Sequence, residues 1–217
     1  MKRILFVLPF LSSGGAERVV SIWSSEMARK GVDVHLLLFY RVSNEYNLDD
    51  KVKVHTISTS KTSYVGLSKY NKIRRLRHAF KEIKPDVILP FISYVGIMTS
   101  IARIGLPYSI VETVRIDPRY SPSSKVNRFL RNLSILFSEK CIVQSKIQLN
   151  YFPGWIQKNM AIYPNPIAND FMEAKKVFTE KKVKNIISVG RLEKQKNFPL
   201  LIKSFSEIAK KNKEVML

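Results

Sequence analysis

Two stretches of this chain carry residues that could hold an anion. Residues 189–198, reading VGRLEKQKNF, place Arg191 and Lys196 between an apolar run at 186–189 and an amphipathic stretch. An arginine offers a planar fork to phosphate oxygens and a lysine a point charge. A helix starting there adds the partial positive charge of its N-terminus. Asn197 reads as the N-cap, Pro199 suits the first turn, and Phe198, Leu201, Ile202, Phe205 and Ile208 form the stripe expected to be buried. The set suits nucleotide phosphates; a solvated basic loop is the competing reading. The other stretch is residues 12–18, SSGGAER, directly after the first apolar run. Gly14 and Gly15 would let backbone N–H groups approach a phosphate or sugar oxygen. A tight strand-to-helix turn explains them equally well, and they do not make a GxGxxG fingerprint.

Other chemistries find less support. His35, His55 and His78 are scattered and suggest no zinc site. The single cysteine, Cys141, lies in an apolar run and reads as a small buried hydrophobe, which excludes an intrachain disulfide. The formal net charge of +20 predicts an anionic partner: nucleic acid, an acidic membrane or a phosphorylated substrate. Residues 67–84 concentrate that charge, with Lys69, Lys72, Arg74, Arg75, Arg77, Lys81 and Lys84 against Glu82 alone. Leu67, Tyr70, Ile73, Leu76, Phe80 and Ile83 recur at helical spacing and are expected to face a core, leaving the cations outward. Near an anionic leaflet each such cation contributes about 1 kcal/mol. Residues 124–137 repeat the arrangement, with Lys125, Arg128 and Arg131 opposite Val126, Phe129, Leu130 and Leu133. A membrane surface ranks above nucleic acid, because aromatics interleave the basic residues sparsely and no RRM, zinc-finger or KH signature is present. No run of about 20 apolar residues reads as a membrane span.

These residues need a scaffold, and the hydrophobic pattern supplies one. Apolar runs at 4–8, 32–40, 52–57, 87–92, 108–112 and 140–143 alternate with helical periodicities at 16–29, 67–84, 95–104 and 124–137. Residues 1–16 superficially resemble a signal peptide, but the amphipathic pattern runs straight on, so a first strand is expected. Near-continuous apolar strands separated by helices imply a parallel sheet covered on both faces. The expected fold class is α/β, a Rossmann-like αβα sandwich. Residues 1–165 would form the first domain, 166–184 a polar, lysine-rich linker, and 185–217 the opening of a second, unfinished Rossmann-like domain.

GGAERVV after the first strand, YPNPI before the linker and VGRLEKQKNFPLLIKSF beyond it resemble the family-4 retaining glycosyltransferases of the GT-B fold. The resemblance implies that Arg191 and Lys196 hold the diphosphate of a nucleotide-sugar donor, without a metal or other cofactor. It implies that Gly14 and Gly15 approach the donor across a cleft. It directs attention to Arg115 and Asp117 in VRIDP as catalytic candidates, beside the alternative of a loop salt bridge. The donor implied is a UDP-sugar and the acceptor a glycan or polyprenyl-diphosphate-linked precursor; the basic helix adds the expectation of a cytoplasmic protein held peripherally at the inner face of a membrane. A UDP-sugar epimerase, or a non-catalytic membrane- or glycan-binding remnant, is the alternative reading.

Overall fold

The computed structural model describes residues 2–12, 14–167, 185–190, 192 and 196–217. The chain separates into two compact units, Met1–Ala168 and Asn169–Leu217. In the first unit seven parallel strands form one sheet: β1 (Arg3–Leu8), β2 (Asp33–Leu38), β3 (Lys53–Thr56), β4 (Val87–Pro90), β5 (Ser109–Val114), β6 (Lys140–Val143) and β7 (Met160–Ile162), in the order β3-β2-β1-β4-β5-β6-β7. The helices are α1 (Gly15–Arg29), α2 (Lys61–Val65), α3 (Lys69–Ile83), α4 (Ser93–Arg103), α5 (Lys125–Leu136), α6 (Lys146–Asn150) and α7 (Gly154–Gln157). Reversal of strand order at β1 puts a topological switch point beside the Gly14-Gly15 turn, where open α/β sheets bind ligands.

Side-chain parity assigns the helices to faces. On β1, Phe6 and Leu8 pack with Val19, Val20 and Ala28 of α1, whereas Leu5 and Val7 pack with Leu76 and Phe80 of α3. On β5, Ile110 joins the α3–α4 cluster, Glu112 meets Ser100 of α4 and Ser134 of α5, and Val114 packs with Ile135 of α5. Those three alternate residues point to one side, so α3, α4 and α5 lie side by side on the face opposite α1. The end of α1 is a Schellman motif. Gly31 sits at φ 85°, and the Val32 amide donates to the Met27 carbonyl at 3.0 Å.

Helix α5 is turned the other way from the sequence expectation. Its inward side carries Arg131, 3% exposed, with Ser134 and Ile135. Arg131 donates to the carbonyls of Pro118 (3.1 Å) and Ser121 (2.8 Å), and its guanidinium lies over the Tyr151 and Phe152 rings. Arg128 likewise donates to the carbonyls of Arg119 and Ser123. A loop between β5 and α5 has carbonyls that need donors, and the arginines provide them. Val126, Phe129, Leu130, Leu133 and Leu136, with Phe137 beyond, consequently line the outward side; Phe129 is 62% and Phe137 70% exposed.

Helix α3 also departs from the expected division. Leu76, Phe80 and Ile83 are buried as expected, but Tyr70 is 73% exposed. Arg75 donates to the Ile57 carbonyl at 2.7 Å, and Arg77 to those of Ala102 (2.9 Å) and Ile104 (2.5 Å). Lys72 sits over the Tyr64 ring at 4.4 Å. These three cations brace neighbouring elements, while Lys69, Arg74 and Lys81 stay exposed.

In the second unit, α8 (Phe198–Lys211) begins as expected with Pro199 in its first turn, but none of its residues is buried. Asn197 precedes it in a left-handed conformation and its side chain makes no cap bond. The apolar run at 186–189 is not a buried strand: Val189 is 93% exposed. Among the described residues its surroundings offer only the Asn185–Met216 bridge and one bond from the Ile186 amide to the Met216 carbonyl. An apolar run becomes a buried strand only where a sheet accepts it.

Candidate functional site

The carboxyl edge of the sheet gathers most of the sequence candidates. At the end of β1 the chain enters α1 through Gly14, the N-cap. The Glu17 carboxylate, itself buried, packs on Gly14 so closely that a Cβ there would lie 2.0 Å from Oε2. A Cβ on Gly15 would meet nothing within 4 Å. A Cβ at Gly14 would thus displace the Glu17 side chain, while Gly15 leaves open space at a helix N-terminus.

At the end of β4, Ile92 adopts φ 79° before α4. A β-branched residue in that region carries about 1–3 kcal/mol of strain. The Val95 and Gly96 amides both donate to its carbonyl, holding the turn.

At the end of β5, Arg115 turns toward the α1 side. Its guanidinium lies 4.7 Å from the Trp23 ring centre and 4.6 Å from that of Phe91, and Nη1 donates to Asn165 Oδ1 at 3.1 Å. Gln144, following β6, donates to the same Oδ1 at 2.8 Å, so Asn165 of the YPNPI segment ties the ends of β5, β6 and β7 together. Burial pulls the Arg115 pKa down to about 10, which still leaves it charged at neutral pH. Nε and Nη2 are buried without a hydrogen-bond partner among the described residues. Both are closed off from solvent, so what Arg115 offers a ligand at this edge is its fixed positive charge.

The pairing of Arg115 with Asp117 does not form. Asp117 instead accepts from Arg119, through Nε at 3.0 and 3.1 Å and Nη2 at 2.6 Å, and this keeps its carboxyl below the ordinary carboxylate range. The loop salt bridge exists with a different partner. Beside it, a groove of about 520 Å³ is lined by Asp117, Arg119, Gln148, Asn150 and Tyr151 among others.

Glu112 is the titratable group that the sequence reading passed over. It is fully enclosed on β5, where Ser134 and Ser100 donate to Oε1 (Ser100 at 3.3 Å). Gly96 of α4 lies against it; a Cβ there would be 2.3 Å from Oε2. Burial raises its pKa to about 7 despite the hydroxyl bonds. The signal for it was a lone acid in the apolar run SIVETV. Trp23 and Asn165 had no such signal, because their roles depend on partners far away in sequence.

Of the second-unit candidates, Lys196 is exposed, and its Cγ would sit 3.5 Å from a Cβ on Gly190. Arg191 lies outside the described residues. Among the described residues no group of three or more His, Cys, Asp or Glu side chains could hold a metal, and no helix is long and apolar enough to cross a membrane.

Residues 8–139, more than half of the chain, match the family described as Glycosyl transferase 4-like. The chain belongs to that family. The glycosyl transferase 4-like region runs from the last residue of β1 to the turn before β6, so it contains the glycine turn, Arg115 and α3 to α5. Over 99% of its length the chain is 27% identical to a protein of Campylobacter jejuni subsp. jejuni serotype O:2. That protein is named GalNAc-alpha-(1->4)-GalNAc-alpha-(1->3)-diNAcBac-PP-undecaprenol alpha-1,4-N-acetyl-D-galactosaminyltransferase, and the chain spans 59% of its length. Among solved structures, sucrose-phosphate synthase from Thermosynechococcus elongatus superposes with a TM-score of 0.68 at 15% identity, over 96% of this chain and 60% of that one. Anabaena Alr3699/HepE in complex with UDP and glucose gives 0.56 at 17% identity, over 78% of this chain and 46% of that one. These likenesses establish the GT-B type of Rossmann-like fold for this glycosyl transferase 4-like chain.

Proposed function

We propose that this chain belongs to a retaining glycosyltransferase that moves a sugar from a UDP-sugar to a hydroxyl of a lipid-linked glycan precursor. Residues 1–165 would be the acceptor-side domain, 166–184 the linker and 185–217 the opening of the donor-binding domain. The observation that carries the reading is the whole-chain relationship to a protein named as a transferase acting on an undecaprenol-diphosphate glycan, together with the family match.

In this reading the open space at Gly15 lets the N-terminus of α1 approach the donor phosphates. Arg115, held at the end of β5 by Asn165, supplies a fixed positive charge that orients an oxyanion of donor or acceptor. Arg191 and Lys196 offset the charge that develops on the departing diphosphate, the role a metal fills in other transferases. Asp117, engaged by Arg119, orders the loop. The site would work at the inner face of a membrane, where the acceptor lies.

The test is transfer itself. The protein is incubated with radiolabelled UDP-sugars and a detergent-dissolved polyprenyl-diphosphate glycan. Label should move into the lipid phase with retained anomeric configuration. Free UDP with no labelled lipid, or an epimerised sugar nucleotide as the product, would sink the transfer reading.

A further inference from the structure

The outward face of α5 has no counterpart in the proposed reaction. Apolar residues on a surface helix normally face the core, with the polar side outward. Here Arg128 and Arg131 are drawn inward by the carbonyls of the 115–124 loop, and the apolar stripe is left outside. Between α5 and α4 runs a groove of about 510 Å³ whose walls include Ile101, Ile104, Leu130 and Phe137. Ile104, Phe129 and Phe137 are each more than 60% exposed. Such a contiguous apolar surface on an otherwise charged protein marks an interaction site.

We infer that this α4–α5 surface inserts into the interface of an anionic bilayer. The charge on the same sheet face selects that occupant. Lys69, Arg74 and Lys81 of α3 lie exposed beside α4, and Lys125 lies exposed at the start of α5. A second copy of a chain carrying a net charge of +20 would meet like charge around the stripe, whereas anionic headgroups meet opposite charge. Helix α5 has 12 residues, about 18 Å in length, too short to cross a hydrocarbon core of about 30 Å. It suits a helix lying in the interface plane with its apolar side down. The expected cationic face of α3 is thereby reassigned: its free cations draw the protein to the surface, and α5 anchors it.

This inference gives the proposed reaction a membrane docking surface but is tested without any sugar. Flotation is measured with vesicles of phosphatidylglycerol and phosphatidylethanolamine, and with phosphatidylcholine vesicles as the neutral control. The native protein should float with the anionic vesicles. Phe129→Glu and Phe137→Glu should each weaken partitioning at least about tenfold while leaving the melting temperature unchanged, because both side chains are already solvated. Phe129→Cys carrying an environment-sensitive dye provides a second readout, since Cys141 is buried, and its emission should shift to the blue on anionic vesicles. No flotation of the native protein overturns the inference. So does equal flotation of native and Glu variants, which would locate binding on cations alone. A native dimer that Phe129→Glu converts to monomers, with no vesicle binding, overturns it in favour of a second copy. Failure here leaves transfer to a detergent-dissolved acceptor standing, and failure of transfer leaves the docking result standing.

Discussion

Replacing Glu112 by glutamine should change how stability depends on pH. The native carboxyl holds its proton to about pH 7, against an ordinary 4.5, because burial outweighs the bonds from Ser134 and Ser100. As pH rises from 4.5 to 7 the unfolded chain releases a proton that the folded chain keeps. The folded state then binds more protons, and stability falls with rising pH. The favourable contribution is complete below about pH 4.5 and is lost as pH passes 7. The separation of the two values corresponds to roughly 3 kcal/mol once both states are ionised. Between about pH 5 and about pH 8.5 the loss is roughly 2–3 kcal/mol. Glutamine is nearly isosteric, keeps an oxygen for both hydroxyls and does not titrate. Urea denaturation followed by the fluorescence of Trp23 and Trp155 measures both proteins at the two pH values. The native protein should lose roughly 2–3 kcal/mol relative to Glu112→Gln on going to the higher pH. Subtracting the two curves removes contributions from groups such as His35 and His55, which both proteins share. Parallel curves would refute the reasoning, because they would mean that the Glu112 carboxyl does not titrate in this range.

Other substitutions separate structural from functional roles. Gly15→Ala should leave melting unchanged while weakening UDP binding in calorimetry, because its Cβ enters open space at the start of α1. Arg75→Met and Arg77→Met should each destabilise by about 1–3 kcal/mol in urea melts by leaving buried carbonyls without donors, while the exposed Arg74→Met stays within about 0.5 kcal/mol. Asn165→Ala should cost about 1 kcal/mol of stability and lower transfer by more than that loss explains, since it frees both Arg115 and Gln144. Equal losses of stability and transfer would count against a positioning role for Asn165.

Much of this protein followed from its sequence. Alternating apolar runs and helical periodicities determined six of the strands, the order of the long helices and a parallel sheet, because burial on both faces demands continuous apolar strands. Gly31 ends α1, and Ser145 caps α6, where its hydroxyl accepts from the Gln148 amide. Those signals are local. Periodicity also showed that Val126, Phe129, Leu130 and Leu133 share one side of a helix. It could not show which side faces in. Only the packed structure decided that, because the carbonyls of Pro118 and Ser121 and the buried Glu112 carboxyl need donors on the inward side of α5. An unpaired buried carbonyl costs more than an exposed leucine, so the arginines and the serine turned inward and the apolar stripe turned out. The same rule took Arg75 and Arg77 away from a cationic surface and set Arg115 over Trp23 and Phe91 rather than beside Asp117. Pattern determines which residues act together; the polar demands of distant neighbours decide where they point.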